Sequence, residues 1–305
     1  ITKRFPNMPK SMMYKYIRTK KIKHNRKRAE ISDMLVEGDT IELFVKEEFL
    51  TEAPPRELFK NIRVGFTVAY EDDNILVCNK PVGLLCHSDE AGQPNTLVEQ
   101  IKAYLWRKGE YDPKKEKSFA PALANRIDRN TFGLGITEKN AETLRELNIQ
   151  IRERDIAKQY LCRVHGVPNP PEGVLGGWLI KDEKDNKVQV FRKKPNPRLG
   201  DAKEIKTGYR VVGVAGNEAI LEIDLLTGRT HQIRVHMSTI GHPVEGDPLY
   251  YGKFYNRIYK NGQLLTAYRL NLTHPKTNKE MSFEIPLPDY FKEICDKLRR
   301  DAYKK

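Results

Sequence analysis

An aspartate close to two arginines is the first candidate for chemistry in this chain. Asp128 lies in a polar stretch, with Arg126 two positions before it and Arg129 directly after it. A guanidinium within a few ångströms favours the ionised form of a carboxyl group, and a positioned carboxylate can act as a nucleophile or a general base. The same residue types also fit an ordinary turn, in which an aspartate side chain accepts backbone N–H bonds. The local sequence therefore makes Asp128 a candidate catalytic residue and leaves a structural role open.

A second polar motif, at residues 226–237, contains Arg229, His231 and His236. The two histidines are five positions apart with no acidic residue between them, which differs from the i, i+4 pair of a helical zinc site. The four cysteines form no C-x-x-C pair and have no metal-ligand spacing. They are Cys78, Cys86, Cys162 and Cys295. We therefore expect no metal site, and we expect reduced thiols of the kind found in cytosolic proteins.

Both motifs resemble signatures of one enzyme family. Residues 125–133 resemble the His-Arg-Leu-Asp-x-x-Thr-Ser-Gly motif of the RluA-type pseudouridine synthases, and residues 227–236 are similar to the Thr-Gly-Arg-x-His-Gln-Ile-Arg-x-His motif of the same family. The residues in register in the first motif are Arg126, Asp128, Thr131 and Gly133. Asn125 stands where the family often has histidine, and Phe132 stands where it often has serine. The resemblance extends from residue 62 to about residue 290.

The resemblance implies a role for each of these side chains. Asp128 corresponds to the catalytic aspartate of the family, and Arg229 corresponds to the arginine that pairs with it. Arginine suits this role because a bidentate guanidinium holds a carboxylate in one orientation better than lysine can. Tyr160, in Lys158-Gln159-Tyr160, corresponds to the tyrosine that lies against the target base, where its ring could stack and its hydroxyl could move a proton. Without the family context, Tyr160 would be read as a half-buried strand tyrosine. Arg126 would brace the gap left in the RNA stack, and Arg129 would bind RNA beside it.

The fold that the resemblance implies is α+β, with a mixed, largely antiparallel sheet and a central cleft in a catalytic domain at residues 61–305. Apolar periodicity predicts helices at residues 96–107 and 141–156. Strands are predicted at residues 64–70, 75–80 and 160–166. The clearest hairpin joins residues 207–215 to 218–225 through Gly216-Asn217.

The positive charge of the chain is concentrated at its start. The net charge is +13, and positions 1–28 contain eleven Lys or Arg and no acidic side chain. The rest of the chain therefore carries 43 basic and 41 acidic side chains. A concentrated basic block favours binding to a polyanion such as RNA, because each neutralised phosphate releases counterions. A solvated basic tail is the alternative.

Residues 1–50 resemble the small α/β RNA-binding module first named from ribosomal protein S-four, and residues 51–60, with Pro54-Pro55, form a candidate linker. A helix is predicted after Pro9, followed by a basic turn and a strand after Gly38-Asp39. The predicted RNA-binding residues of this module are Lys10, Lys15, Arg18, Lys20, Lys21, Lys23, Arg26, Lys27 and Arg28.

Several classes of protein are disfavoured by the sequence. No apolar run is long enough to cross a membrane, and we see no signal peptide in a chain that starts at Ile1. Gly133-x-Gly135 is not a dinucleotide fingerprint, because Glu138 stands at the third glycine position, and there is no phosphate-binding loop. We therefore expect a cytoplasmic monomer without a cofactor or a membrane partner.

The sequence thus predicts an RNA pseudouridine synthase that acts on a flipped-out uridine. Large-subunit ribosomal RNA is the favoured partner, and transfer RNA is the alternative substrate. Two other classes of function stay open at this point. One is a catalytically silent RNA-binding or ribosome-assembly protein on the same fold, and the other is a hydrolase, which would need a positioned water and commonly a metal.

Overall fold

The chain divides into two compact units, Ile1–Glu57 and Leu58–Lys305. The computed structural model describes residues 1, 4–5, 8–50, 57–88, 93–116, 119–182, 187–252, 262–288 and 291. The division after Glu57 lies within the linker predicted for residues 51–60, of which residues 51–56 fall outside the described residues. None of the helices in the described part is long and apolar enough to cross a membrane.

The first unit is a helix with a small sheet. Its elements are α1 (Lys10–Arg18), β1 (Ile22–His24), β2 (Lys27–Arg28), β3 (Ile41–Leu43) and a 3-10 turn at Glu47–Phe49. The strand order is β2-β1-β3, and both pairings are antiparallel. Tyr16 and Ile17 of α1 pack on Ile22, which agrees with the apolar spacing that predicted the helix. Asn25 and Arg26 both have positive φ, as the two-residue turn between β1 and β2 requires.

The second unit is built on one large sheet. A 3-10 turn (Glu57–Asn61) starts at the last residue of the first unit and continues into the second. The first half of the second unit then contains β4 (Thr67–Glu71), β5 (Ile75–Lys80), α2 (Leu97–Arg107), β6 (Phe132–Glu138), α3 (Ala141–Glu153) and β7 (Ala157–His165). Its second half contains β8 (Glu172–Asp182), β9 (Lys187–Phe191), a 3-10 turn (Pro197–Leu199), β10 (Lys203–Ala215), β11 (Glu218–Asp224), α4 (Gln232–Thr239), β12 (Leu265–Thr273) and β13 (Glu280–Glu284).

The ten strands of this sheet follow the order β4-β5-β6-β12-β7-β11-β10-β8-β9, with β13 paired to β12. The contact between β6 and β12 is parallel, and the other pairings between described strands are antiparallel. The predicted α+β fold with a mixed, largely antiparallel sheet is therefore confirmed.

Helices cover both faces of the sheet, which explains the unbroken apolar sequence of β5. Leu76 and Cys78 point into one hydrophobic core with α2, whereas Ile75 and Val77 point into a second core with α3. Alternate strand residues face opposite sides of a sheet, so a strand covered on both sides must be apolar throughout. Each helix begins at a capping side chain, Thr96 for α2 and Asn140 for α3.

Strands β6, β12 and β7 meet at the centre of the sheet. Gly133 pairs with Ala267, and Ala267 pairs with Tyr160 on its other side. These three residues therefore form one row across three strands. The row places the loop that precedes β6, which contains Asp128, beside the strand that contains Tyr160.

Candidate active site

A cavity of about 760 Å³ lies where the loop before β6, strand β7 and the segment leading into α4 meet. This volume is within the range of cavities that hold small molecules or single nucleotides. The polar residues that line it include Arg126, Asp128, Arg129, Lys181, Arg229, His231 and Arg234. The apolar residues include Leu85, Ile127, Tyr160, Leu225, Ile233 and Leu265. The cavity thus combines an apolar floor with charged groups.

The Asp128 loop is held by buried contacts from the segment after β5. The ammonium group of Lys80, which is fully buried, donates to the carbonyl oxygens of Pro81, Leu84 and Arg129 at 2.9, 2.8 and 3.0 Å. The backbone N–H of Gly83 also donates to the Arg129 carbonyl. Burial lowers the pKa of Lys80 to about 8. Both segments are therefore fixed to one buried lysine.

Asp128 is paired with Arg234, the third residue of α4. Nη1 of Arg234 donates to Oδ2 of Asp128 at 3.0 Å, and the aspartate side chain is 24% exposed. Its other oxygen, Oδ1, accepts no hydrogen bond from any residue that the structure describes. A carboxylate held at one oxygen and free at the other, on the wall of a cavity, is arranged to react with a bound molecule.

The predicted partner of Asp128 was Arg229, and this pairing is corrected by the structure. Arg229 lines the same cavity but is exposed, and its guanidinium makes no ion pair with a described carboxylate. Both arginines lie in one motif. The chain turns through His231, whose φ is +55°, and enters α4, so Arg234 faces the interior and Arg229 stays at the surface.

Arg234 is clamped on its far side by a second carboxylate. Its Nε and Nη2 donate to Oδ2 and Oδ1 of Asp247 at 2.7 and 2.8 Å, and its guanidinium lies 5.3 Å from the centre of the Tyr250 ring. Burial lowers the pKa of Arg234, but the hydrogen bonds and charges of Asp247 and Asp128 outweigh burial and raise the pKa above its ordinary value. The guanidinium therefore stays charged in a nearly dry environment.

Tyr160 lies on the floor of the cavity and is 4% exposed. Burial, together with the charge of Asp128, raises the pKa of its hydroxyl well above its ordinary value. The phenol is therefore protonated at neutral pH. The structure thus brings Tyr160 and Asp128 to the same cavity.

The other residues of the second motif fasten the segment before α4. The side chain of Gln232 accepts hydrogen bonds from the Thr227 hydroxyl and the Arg229 backbone N–H, and it donates to the Lys206 carbonyl and the Thr207 hydroxyl. His231 contacts the Tyr250 hydroxyl at 3.0 Å. These contacts fix the shape of one wall of the cavity.

The two histidines have separate partners. His236 contacts the Thr207 hydroxyl at 2.8 Å, and burial lowers its pKa to about 4, so it is neutral under ordinary conditions. Burial also lowers the pKa of His231. Among the described residues, no three histidine, cysteine, aspartate or glutamate side chains are placed to hold a metal ion. Cys78, Cys86 and Cys162 are buried and unpaired, and Cys295 lies outside the described residues.

The two departures from the first signature have structural explanations. The side chain of Asn125 donates to the Leu134 carbonyl and accepts from the Ile136 N–H, so it attaches the Asp128 loop to β6. Phe132 is the first residue of β6 and packs at the edge of the second core. Both residues act on the position of the loop.

The family model of RNA pseudouridylate synthases matches residues 74–239. The chain belongs to the RNA pseudouridylate synthase family. It is therefore an isomerase that acts on RNA, and the matched region contains Asp128, Tyr160 and Arg234.

Relatives of this synthase match most of its length. It is 29% identical over 300 residues to the ribosomal large subunit pseudouridine synthase C of Vibrio vulnificus, covering 96% of this chain and 89% of the relative. It is 33% identical over 290 residues to an uncharacterized RNA pseudouridine synthase of Mycoplasma genitalium, covering 93% and 87%. The solved structure of human RNA pseudouridylate synthase domain containing 4 has the same fold, with a TM-score of 0.58 and 23% identity over 76% of this chain and 93% of that chain.

The predicted RNA-binding residues lie at the surface of the synthase. Arg126 and Arg129 are exposed at the cavity, and Nε of Arg129 donates to the Gly83 carbonyl at 3.1 Å. In the first unit, Lys23 is half-buried, with its ammonium group 4.9 Å from the centre of the Phe44 ring. The others are exposed: Lys10, Lys15, Arg18, Lys20, Lys21, Arg26, Lys27 and Arg28. The family match begins at residue 74, so the resemblance of residues 1–50 to the S-four module stays a prediction.

Sequence reasoning missed Arg234, Asp247 and Lys80 as parts of the site. Each lay between residue 62 and about residue 290, the region that resembles the family, and Arg234 lay in the second motif. The available signal was chemical: a buried arginine or lysine in a protein needs partners. Which acid pairs with which base is decided by folding and is not visible in the sequence.

Proposed function

We propose that this synthase isomerises specific uridines of large-subunit ribosomal RNA and that Asp128 is the carboxylate that attacks the target nucleotide. The observation that carries the role of Asp128 is its ion pair with buried Arg234 on the wall of the cavity. The pair holds the carboxylate in one orientation and leaves Oδ1 available, because Arg234 reaches only Oδ2. An oriented carboxylate is what a covalent step on uridine requires.

The reaction exchanges one bond of the ribose for another. The bond between C1′ and N1 of uracil breaks and a bond between C1′ and C5 forms, so C5 loses a proton and N1 gains one. The target uridine must leave the base stack to reach Asp128, and the cavity provides room for it. Attack of Asp128 at the uracil ring or at C1′ leads to the same product.

Tyr160 is placed to hold the uracil ring and to take part in the proton transfer. It lies on the apolar floor, where an aromatic ring can stack on a base. Its hydroxyl is protonated, because its pKa is raised by burial and by Asp128. We therefore assign the ring to stacking on the base and the hydroxyl to the transfer of the C5 proton. Proton transfer by a positioned side chain accelerates a reaction by a factor of about 10² to 10⁴.

The exposed arginines of the cavity would hold the RNA around the target. Arg126 is assigned to the gap that the flipped base leaves in the stack. Arg229, which has no carboxylate partner among the residues described, is reassigned from Asp128 to a phosphate of the RNA, as is Arg129. Such contacts position the nucleic acid without reading its sequence.

The role of Asp128 is tested by the release of tritium from C5 of uracil in labelled RNA. The wild-type protein should release tritium without cutting the strand, and Asp128→Asn should lower the rate constant by about 10⁴ or more, since a carboxamide is not a nucleophile of this kind. Tyr160→Phe keeps the ring, so it should bind RNA normally and release tritium about 100-fold more slowly. Equal rates for the wild type and Asp128→Asn would remove Asp128 from the mechanism.

The choice of RNA is supported by relatives such as the ribosomal large subunit pseudouridine synthase C of Vibrio vulnificus. The test is to map pseudouridine in ribosomal and transfer RNA of cells with the protein, without it, and with Asp128→Asn. We expect sites in large-subunit ribosomal RNA that disappear in both altered cells. If pseudouridine sites disappear only from transfer RNA, then transfer RNA is the substrate and large-subunit ribosomal RNA is not.

A further inference from the structure

Asp247 is a fully buried carboxylate that does not line the cavity. Its Oδ1 accepts hydrogen bonds from Nη2 of Arg234 at 2.8 Å and from the backbone N–H groups of Leu249 and Tyr250 at 2.8 and 3.1 Å. Its Oδ2 accepts from Nε of Arg234 at 2.7 Å. Two protein backbone groups and one guanidinium edge thus fix this carboxylate, so it is itself immobile.

The immobile carboxylate decides which part of Arg234 reaches the cavity. A guanidinium has two edges suited to a bidentate contact with a carboxylate. In Arg234 the Nε–Nη2 edge is occupied by Asp247, and Nη1 alone reaches Asp128. The contact with Asp128 is therefore a single hydrogen bond to Oδ2.

A second contact on Tyr250 limits the freedom of the guanidinium further. The Arg234 guanidinium lies 5.3 Å from the centre of the Tyr250 ring, and the Tyr250 hydroxyl contacts the Val188 N–H and the ring of His231. Rotation of Arg234 towards Asp128 would break the bidentate pair with Asp247. Without Asp247, the guanidinium could turn and take both oxygens of Asp128.

We propose that Asp247 is a positioning residue that restricts Arg234 to one oxygen of Asp128 and so leaves Oδ1 open to the uridine. The inference rests on the proposed role of Asp128 as the attacking carboxylate. Asp247 acts through Arg234 and does not touch the RNA. Its effect should therefore fall on the rate of the chemical step and not on the affinity for RNA.

The test uses single-turnover rate constants and RNA dissociation constants of the full chain. Asp247→Asn should lower the rate constant by about 100-fold, as expected when a reacting group is displaced by about 1 Å, and should change the RNA dissociation constant by less than about twofold. The matched control is Glu218→Gln. Glu218 forms an ion pair with Arg163, and neither residue lines the cavity. The control should leave the rate constant unchanged.

A double-mutant cycle separates positioning from a general loss of structure. If Asp247 acts only through Arg234, the double variant Arg234→Gln with Asp247→Asn should react no more slowly than Arg234→Gln alone. The double variant also avoids an unpaired buried charge, which a single loss of Arg234 would leave. Independent losses that multiply in the double variant would overturn the inference.

The rates of the variants test the positioning role of Asp247 separately from the proposed function. A wild-type rate in Asp247→Asn, with Asp128→Asn inactive, would refute only the positioning role. A wild-type rate in Asp128→Asn would refute the proposed mechanism itself. If Asp247→Asn unfolds under assay conditions, as urea titration would show, the comparison of Arg234→Gln with the double variant decides the question.

Discussion

Glu138, at the end of β6, is a carboxyl group buried in the hydrophobic interior. It is 1% exposed, and its Oε2 has no hydrogen-bond partner within the described ranges. It lies two residues after Ile136 and therefore on the same face of β6, which packs into the second core. Burial raises its pKa from 4.5 to about 7. The protein therefore keeps a neutral acid here at mildly acid pH and must bury a charge at higher pH.

Stability should consequently fall as the pH rises through this range. Below pH 4.5 the carboxyl is protonated in both the folded and the unfolded state. Between pH 4.5 and about 7 the unfolded state loses the proton first, so the free energy of unfolding decreases, by about 3 kcal/mol at 1.36 kcal/mol per pKa unit. Glu138→Gln removes this titration, so its free energy of unfolding should exceed that of the wild type by a margin that grows from pH 5 to pH 8.

Urea titration at several pH values measures this margin. The matched control is Glu280→Gln, which replaces an exposed glutamate of β13. The control should differ from the wild type by the same small amount at every pH. A margin for Glu138→Gln that does not change with pH would mean that Glu138 is ionised in the folded protein at no cost.

At the scale of single residues, the sequence indicated which candidate residues line the cavity better than it indicated how they pair. Asp128 and Tyr160 could be predicted because their positions match family motifs, and both line the cavity. The partner of Asp128 could not be predicted, because Arg229 and Arg234 occur five positions apart in the same motif. The buried position of Arg234 depends on the start of α4, and its clamp by Asp247 depends on the loop that follows α4.

At the scale of elements, the contact between β6 and β12 sets the position of the Asp128 loop. Gly133 has a φ of +127°, and a Cβ atom at this position would lie 2.2 Å from the carbonyl oxygen of Ala267. Only glycine accepts both the conformation and the close approach. The Asp128 loop enters β6 directly before this contact, so the spacing of the two strands also fixes the loop.

Gly133→Ala should therefore destabilise the protein and slow the reaction together. We expect a loss of at least about 2 kcal/mol, since a strained φ costs roughly 1–3 kcal/mol and the backbone clash adds to it. The control is Gly176→Ala in β8, where φ is not positive and a Cβ would meet nothing within 4 Å. Urea titration and single-turnover tritium release measure both effects. A variant as stable and as active as the control would show that β6 and β12 can separate without consequence.

The elements that the sequence predicted well have clear patterns. Strand β5 was predicted at residues 75–80 and lies at Ile75–Lys80, and the hairpin of β10 and β11 turns at Gly216-Asn217. No helix was predicted at α4, because its polar and apolar residues alternate over 232–237, which is not a helical period, and all six are buried. The pairing of β6 with β12 joins segments that are distant in the chain, through the pairs Phe132 with Thr266 and Gly133 with Ala267, and no local pattern indicates it.

At the scale of the whole molecule, the distribution of charge separates the two units. Positions 1–28 hold eleven basic and no acidic side chains, whereas the rest of the chain is nearly balanced. In the first unit these side chains are mostly exposed on α1 and on the turn between β1 and β2. Among the described basic residues of this unit, Arg28 lies 3.6 Å from Glu30 in an exposed pair. An exposed ion pair of this kind contributes little to stability, so these groups are available to a polyanion.

Neutralising basic residues of the first unit should therefore weaken the salt dependence of RNA binding. The test variant replaces four exposed residues with glutamine: Lys15, Arg18, Lys27 and Arg28. Each phosphate that is no longer neutralised reduces the slope of log K against log salt concentration by about 0.7 to 0.9, so the slope should fall by up to about 3. The affinity at low salt should fall with it. The rate constant at saturating RNA should not change, because these residues lie outside the cavity.

Filter binding measures the salt dependence of RNA affinity between about 50 and 200 mM salt, a range over which such slopes are resolved. The control variant has the same change of net charge. The control replaces four exposed basic residues near α3 and the turn after β12 with glutamine: Arg145, Arg152, Lys276 and Lys279. An equal decrease of slope in both variants would assign the effect to net charge. An unchanged slope in the first variant would exclude this basic surface from the RNA interface, because counterion release depends on which side chains meet the phosphates.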